Sequence, residues 1–296
     1  MKSSIQIFFI LLLTVYAKIF SQNPNVLIIT AHPDDETGFA ATIYKITHDL
    51  EGKADIIVIT NGEAGYKYSS IAQDIYHIEL TKEAIGREYL PSIRKKELMS
   101  GGAILGLRDY YFLDQKDTYY TLDADSVLRH VWDTIFIKRR IQQVLNSKQY
   151  DFIFTLLPTN STHGHHKAAT ILALSALQEF QSKSKPIIVG CSLADSTAIK
   201  PEPFFGLQAY PITAVKNEFP SAQFNRNQSF GYNNKLNYSI IANLVIAEHK
   251  SQGAMQLAAG KGDIEYFWNY SINSQDSELN IKQFFDRIAL TPFKQK

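Results

Sequence analysis

The first chemical suggestion in this sequence comes from six residues. Ala31-His32-Pro33-Asp34-Asp35-Glu36 sets one imidazole and three carboxylates within five positions. Carboxylates this close repel one another unless something uses them, and a metal is the natural user. Imidazole nitrogen and carboxylate oxygen are both zinc ligands, and a catalytic zinc site keeps three protein ligands and one position open for water. The same residues have a structural use, because Asp and Glu are favoured in the first turn of a helix by its macrodipole. Taken alone, the segment favours that structural use.

A second polar stretch, His163-Gly164-His165-His166, changes the balance. His163 and His166 are three apart and can share a helix face. If the strands before the two stretches are neighbours in one sheet, their loops meet, and His32, Asp35 and His166 make an open-sided His, Asp, His set. A histidine cluster that binds metal only adventitiously is the alternative, and it leaves the acidic turn unexplained.

The elements needed to bring these loops together are legible. Residues 26–30, 54–60, 110–113, 152–156 and 186–191 are short apolar runs rich in branched and aromatic side chains, and read as strands. Between them, residues 37–50, 92–105, 126–147 and 166–180 have helical spacing, with Gly106 as a helix stop. Strands alternating with helices predict an α/β fold with a mostly parallel sheet covered on both faces, and ligands collect at the carboxyl ends of such strands. Beyond about Thr197, Pro201, Pro203, Pro211 and Pro220 punctuate a stretch rich in Phe, Tyr and Asn. Residues 197–236 read as a loop-rich cover, followed by a last helix over 237–249.

With these residues in place, the chain resembles the LmbE-like, or PIG-L, de-N-acetylases. The resemblance rests on Ala31 to Glu36 followed at a distance by His163-x-x-His166. It extends to Thr60-Asn61-Gly62-Glu63-Ala64-Gly65, to Arg94-x-x-Glu97 in a helix ending at Leu105-Gly106, to Phe112-Leu113-Asp114 and to Glu248-His249-Lys250-Ser251-Gln252, in the family's order. It spans most of residues 25–255. The fold it implies is a Rossmann-like α/β/α sandwich, and the activity is zinc-dependent removal of an N-acetyl or other N-acyl group from an amino sugar or related amide. By the same resemblance His32, Asp35 and His166 are the metal ligands, for Zn2+ or another divalent metal. Asp34 is the general base, His163 the residue that stabilises the oxyanion, and Arg94, Asp114 and Glu63 the substrate contacts. His165 departs from the family, many members having Asp there, and is expected to be a supporting or surface residue. His249 is expected to serve the helix dipole rather than the site.

The rest of the chain bounds the setting. Lys2 followed by the apolar run 5–16 reads as a signal peptide over residues 1–21, too short to span a bilayer comfortably. This leaves a single domain over 22–296, exported to a periplasmic or extracellular location without a stable membrane anchor. Cys191 is the only cysteine, so no intramolecular disulfide forms. Loss of Lys2 and Lys18 with the leader takes the formal charge from +1 to −1. A chain this near neutrality has no electrostatic footprint for nucleic acid. The partner expected is a small-molecule amino-sugar conjugate or glycan. A catalytically silent sugar- or metal-binding protein is the competing reading, and Asp34 argues against it, because holding a metal needs no free carboxylate beside the ligands.

Overall fold

The computed structural model describes residues 23–182, 184–195 and 201–294. The expected leader lies outside them. Strand β1 (Asn25–Thr30) sets the frame. Its side chains alternate between two cores: Val26 and Ile28 enter one with Phe39, Ile56 and Phe154, while Leu27 and Ile29 enter the other with Ile57, Ile141 and Leu172. A strand covered on both faces has no polar side, which is why its sequence is continuously apolar. Each such aliphatic side chain contributes roughly 1.5–3 kcal/mol by leaving water.

β2 (Lys53–Thr60) and β4 (Phe152–Leu156) flank β1 in parallel, with Ile56 and Phe154 both opposite Ile28. β3 (Leu107–Gln115) lies outside β2, and β5 (Ile187–Ala194) lies outside β4, again in parallel. The chain therefore winds away from β1 in both directions. At this switch point the loops after β1 and β4 leave the same edge of the sheet side by side. The fold is the expected α/β sandwich with a mostly parallel sheet.

Two departures enlarge it. β6 (Ala222–Asn225) and β7 (Ile264–Asn269) extend the sheet in the order β3-β2-β1-β4-β5-β7-β6, with β7 antiparallel to both neighbours. The region read as a cover thus supplies an edge strand. Buried Glu265 disguises β7 in the sequence. It is tolerated because Arg226 Nε donates to it at 2.8 Å and the Ala41 and Thr42 amides at 3.0 Å. After the helix expected to be last, Ser239–Glu248, comes a longer one, Ser277–Leu290, which buries Ile281, Phe284, Phe285 and Ile288 at helical spacing.

Other boundaries differ locally. The helix expected to start at Ser92 runs from Glu83 to Leu105 through Pro91, because Leu90 and Ile93 pack on Ala72 and Leu80 and outweigh the proline. The helix expected over 126–147 breaks at Trp132. The Trp132 indole donates to Lys116 O at 3.2 Å, and Asp133 caps the new helix Thr134–Ser147 by accepting from the Phe136 amide at 2.9 Å.

Candidate metal centre

The loop after β1 is folded by Asp35. Its Oδ2 accepts from the backbone amides of Ala31 at 3.0 Å and His32 at 2.8 Å, which curls the chain and turns Oδ1 toward the loop after β4. There His166, in the first turn of the helix Gly164–Glu179, brings Nε2 to 3.0 Å from Asp35 Oδ1. His32 completes the group, its Nδ1 lying 3.0 Å from His166 Nε2 and 3.8 Å from Asp35 Oδ2. These three residues offer ligand atoms within 4.8 Å of one another and could hold a metal ion. A second such group among the described residues, His32, His163 and His165, shares His32 but has no carboxylate.

Asp34 stands beside the first group and outside it. It is the residue before the 3-10 turn Asp35–Phe39, yet its side chain makes no capping hydrogen bond. The structural use of an acidic first turn is therefore not what occupies this carboxylate. Asp34 lines a cavity of about 320 Å³ together with His32, Asp35, His163 and His166. Burial, and then the charge of Asp35, raise Asp34 to about 6, against the opposite pull of His32, His249 and Arg94. Burial acts the same way on Asp35, but the charge and hydrogen bonds of His166 and His32 outweigh it and hold Asp35 well below the usual carboxylate range. His32 is pulled down by burial and lifted further by Asp35, Asp117 and Asp34, reaching about 9.

His163 caps its helix with its own ring, Nδ1 accepting from the His165 amide at 3.1 Å. Burial and the neighbouring His32 and His166 push it down to about 3, so the ring is neutral and carries its proton on Nε2. Tyr120 packs against it with ring centroids 4.8 Å apart. His165 is not on the surface. It is fully buried behind His32 and beside Trp132 and Asp117, and burial drives it down to about 2.

The remaining expected residues divide. Arg94 lines the cavity but is buried. Its guanidinium donates to the carbonyls of Gly62, Gly65 and Ser251, so it holds two loops together from beneath the site. Gly62 is required for that arrangement: its φ is 69°, and a Cβ there would sit 2.6 Å from Arg94 Nη1. Glu63 does not line the cavity. It accepts from the Asp117 amide at 2.9 Å, and Asp117 in turn accepts from the Ala64 amide at 3.3 Å, a reciprocal latch between the loops after β2 and β3. Asp114 is exposed, ion-paired with Lys95 and absent from the cavity wall. Asp117, three residues further along the same loop, takes a place on that wall. Nothing in the sequence sets Asp117 apart from Asp114, and Tyr68, Tyr120 and Met255, which also line the cavity, lie outside every motif named above. His249 reaches the underside of the loop, its Nε2 2.5 Å from Glu36 Oε1, and Gln252 donates to Pro33 O.

The chain is 24% identical over 164 residues to a probable N-acetyl-alpha-D-glucosaminyl L-malate deacetylase 2 of Bacillus cereus, covering 55% of this chain and 66% of that protein. It is 22% identical over 162 residues to the Bacillus subtilis protein of the same description, covering 55% and 64%. The chain thus spans a little under two thirds of the length of these relatives. Among solved structures it is similar to N,N'-diacetylchitobiose deacetylase from Pyrococcus horikoshii, with a TM-score of 0.49, 18% identity and coverage of 83% and 85%. It is also similar to the 4-carboxy-2-hydroxymuconate hydratase GalB from Pseudomonas putida, with a TM-score of 0.49, 12% identity and coverage of 85% and 97%. Residues 27–177, which hold both histidine- and aspartate-bearing loops, match the family model described as PIG-L, GlcNAc-PI de-N-acetylase, and the chain belongs to that family.

Proposed function

We propose that this protein is an exported, zinc-dependent hydrolase that removes an N-acetyl or other N-acyl group from an amino-sugar conjugate. The observation that carries the reading is the position of Asp34, a carboxylate beside the His32, Asp35, His166 group, facing the cavity and left out of both capping and ligation. Zinc fits the donor set. Donors about 2.0–2.1 Å from a tetrahedral zinc lie roughly 3.3 Å apart, and the separations within the group run from 3.0 to 3.8 Å. Bound there, zinc would supply Lewis acidity, polarising an amide carbonyl and making water acidic near neutral pH.

The chain's own residues then divide the proton work. Asp34, ionised above about pH 6, takes a proton from the attacking water and returns it to the leaving amine nitrogen. His163, neutral with its proton on Nε2, donates a hydrogen bond to the charge that develops on the carbonyl oxygen. Tyr120 offers an exposed aromatic face beside His163 for the apolar side of a sugar ring. The amino-sugar class is supported by the descriptions of the relatives, and export by the leader-like first 21 residues.

The deciding experiment is acetate and free-amine release from a panel of N-acetylated amino sugars, using the mature chain loaded with zinc and Asp34→Asn as control. Release by the native protein alone supports the reading. Tight zinc binding with no release across acetylated and longer-acyl substrates would favour a silent binding protein. A chain that binds no divalent metal would overturn the proposal.

A further inference from the structure

His32 is engaged on both sides. Its Nδ1 faces Asp35 and His166, and its Nε2 lies 3.1 Å from Nδ1 of His165. His165 is fully buried, its ring centroid 5.1 Å from that of Trp132. Asp117 Oδ1 lies 3.3 Å from the same nitrogen of His165, and Asp117 is held in turn by the Ala64 amide. Nothing in the proposed reaction uses His165 or accounts for its burial at the back of a ligand.

We propose that His165, backed by Asp117, is a positioning residue that fixes His32 as a metal ligand through Nδ1 by accepting the proton on Nε2. The inference rests on the zinc reading of the His32, Asp35, His166 group. A neutral imidazole has one N–H and one lone pair. For Nδ1 to offer its lone pair to a cation, the proton must sit on Nε2, and a buried N–H requires an acceptor. Nδ1 of His165 is the acceptor placed there. The negative charge of Asp117 beside this contact favours the same arrangement by drawing the His32 proton toward it.

The arrangement also explains an oddity. With its Nδ1 accepting from His32, His165 carries its own proton on Nε2, and that atom is buried without a hydrogen-bond partner among the described residues. Buried polar atoms are rarely left unpaired, and one that is left so costs stability. A residue kept for packing alone would be better served by an apolar side chain. A residue kept for its Nδ1 must carry the idle Nε2 with it.

The test is metal affinity, measured apart from turnover. Zinc binding by the full mature chain is followed by competition with a chromophoric chelator, and the ligand geometry by the visible absorption of the cobalt(II)-loaded protein. Loss of an outer partner of a metal-ligating histidine typically weakens metal binding by 10–100-fold. His165→Leu, which keeps bulk and removes the acceptor, is expected to lose affinity by about that factor and to shift the cobalt spectrum, while metal-free unfolding stays equal or moves up. His165→Asn, whose side-chain oxygen comes near the place of Nδ1, is expected to recover most of the affinity, and Asp117→Asn to show a smaller loss. Leu binding zinc within about threefold of the native chain, or Leu and Asn weakening it equally, would overturn the proposal. If Leu does not fold, unchanged affinity in Asp117→Asn overturns it instead. A native chain that binds neither zinc nor cobalt is a separate outcome and overturns the zinc reading itself.

Discussion

Glu36 Oε1 lies 2.5 Å from Nε2 of His249 across 213 residues of sequence, with both side chains fully buried. The pair ties the loop after β1 to the end of the helix Ser239–Glu248, which lies beyond the segment that matches the family model. Removing one partner of a buried pair leaves the other uncompensated and costs about 3–5 kcal/mol. Glu36→Gln and His249→Ala are each expected to lower the melting temperature by several degrees. Burial lowers the His249 pKa, but Glu36 more than compensates and the net shift is upward. The stability this provides is fully present below the ordinary histidine value of 6.5 and is lost as pH rises through the raised value. The melting gap between the native chain and Glu36→Gln should therefore narrow toward alkaline pH. A gap that widens would assign the stabilisation to another group.

Arg94 separates a structural from a substrate role. Its guanidinium holds Gly62, Gly65 and Ser251, and Ser251 is held from the other side by Glu97, which accepts from its amide at 2.8 Å and its hydroxyl at 2.7 Å. Arg94→Ala would leave three carbonyls without this donor, so the expected loss is at least about 3 kcal/mol, read as a fall in the urea midpoint. Arg94→Ala with native stability and a raised KM alone would show that the side chain serves substrate and not the loops.

Asp34 carries the chemical claim. Asp34→Asn is expected to bind zinc like the native chain and to lose about 10²–10⁴-fold in kcat, whereas His166→Ala loses metal and turnover together. Native kcat/KM should fall on an acidic limb at or below about pH 6, since a divalent cation nearby favours the ionised carboxylate. The stability effect has the opposite sign. Asp34 is raised above its ordinary 3.8, so the native state binds its proton more tightly than the unfolded chain, and stability falls as pH rises from about 4 to 6. In metal-free protein, Asp34→Asn should therefore melt higher than the native chain at pH 8 and equally at pH 4. Equal melting at both values would refute the raised carboxylate.

What the sequence made legible is what local rules govern. The apolar runs of β1 and β4 identify strands without help, but that the two are neighbours was only a condition of the sequence reading, and it is the pairing in the sheet that brings His32, Asp35 and His166 together. The features that escaped depend on tertiary contacts. Pro91 argues against a helix locally and is overridden by packing around Leu90. Glu265 argues against a buried strand and is paid for by Arg226, nearly forty residues away, through a bond over a separation of 39. Asp114 and Asp117 look alike in sequence, and only the path of the loop after β3 sends one to Lys95 in solvent and the other to the cavity.

That last contrast yields a comparison of surface and site. In the Lys95–Asp114 pair the carboxylate is exposed and the lysine half-buried, and such surface pairs contribute about 0–1 kcal/mol. Asp114→Ala is expected to leave both melting temperature and kcat/KM nearly unchanged. Tyr120 is also exposed, but its ring sits 4.8 Å from His163, tilted against it, and shows a face to solvent. If a sugar ring covers that face, Tyr120→Ala should raise KM by about 2–10-fold, the equivalent of ~0.5–1.5 kcal/mol for an aromatic contact, while Tyr120→Phe stays near native. Steady-state kinetics on the best substrate of the panel separates the cases. A fall in kcat at constant KM would move Tyr120 from holding the sugar to orienting His163, because only the latter acts after the substrate is bound.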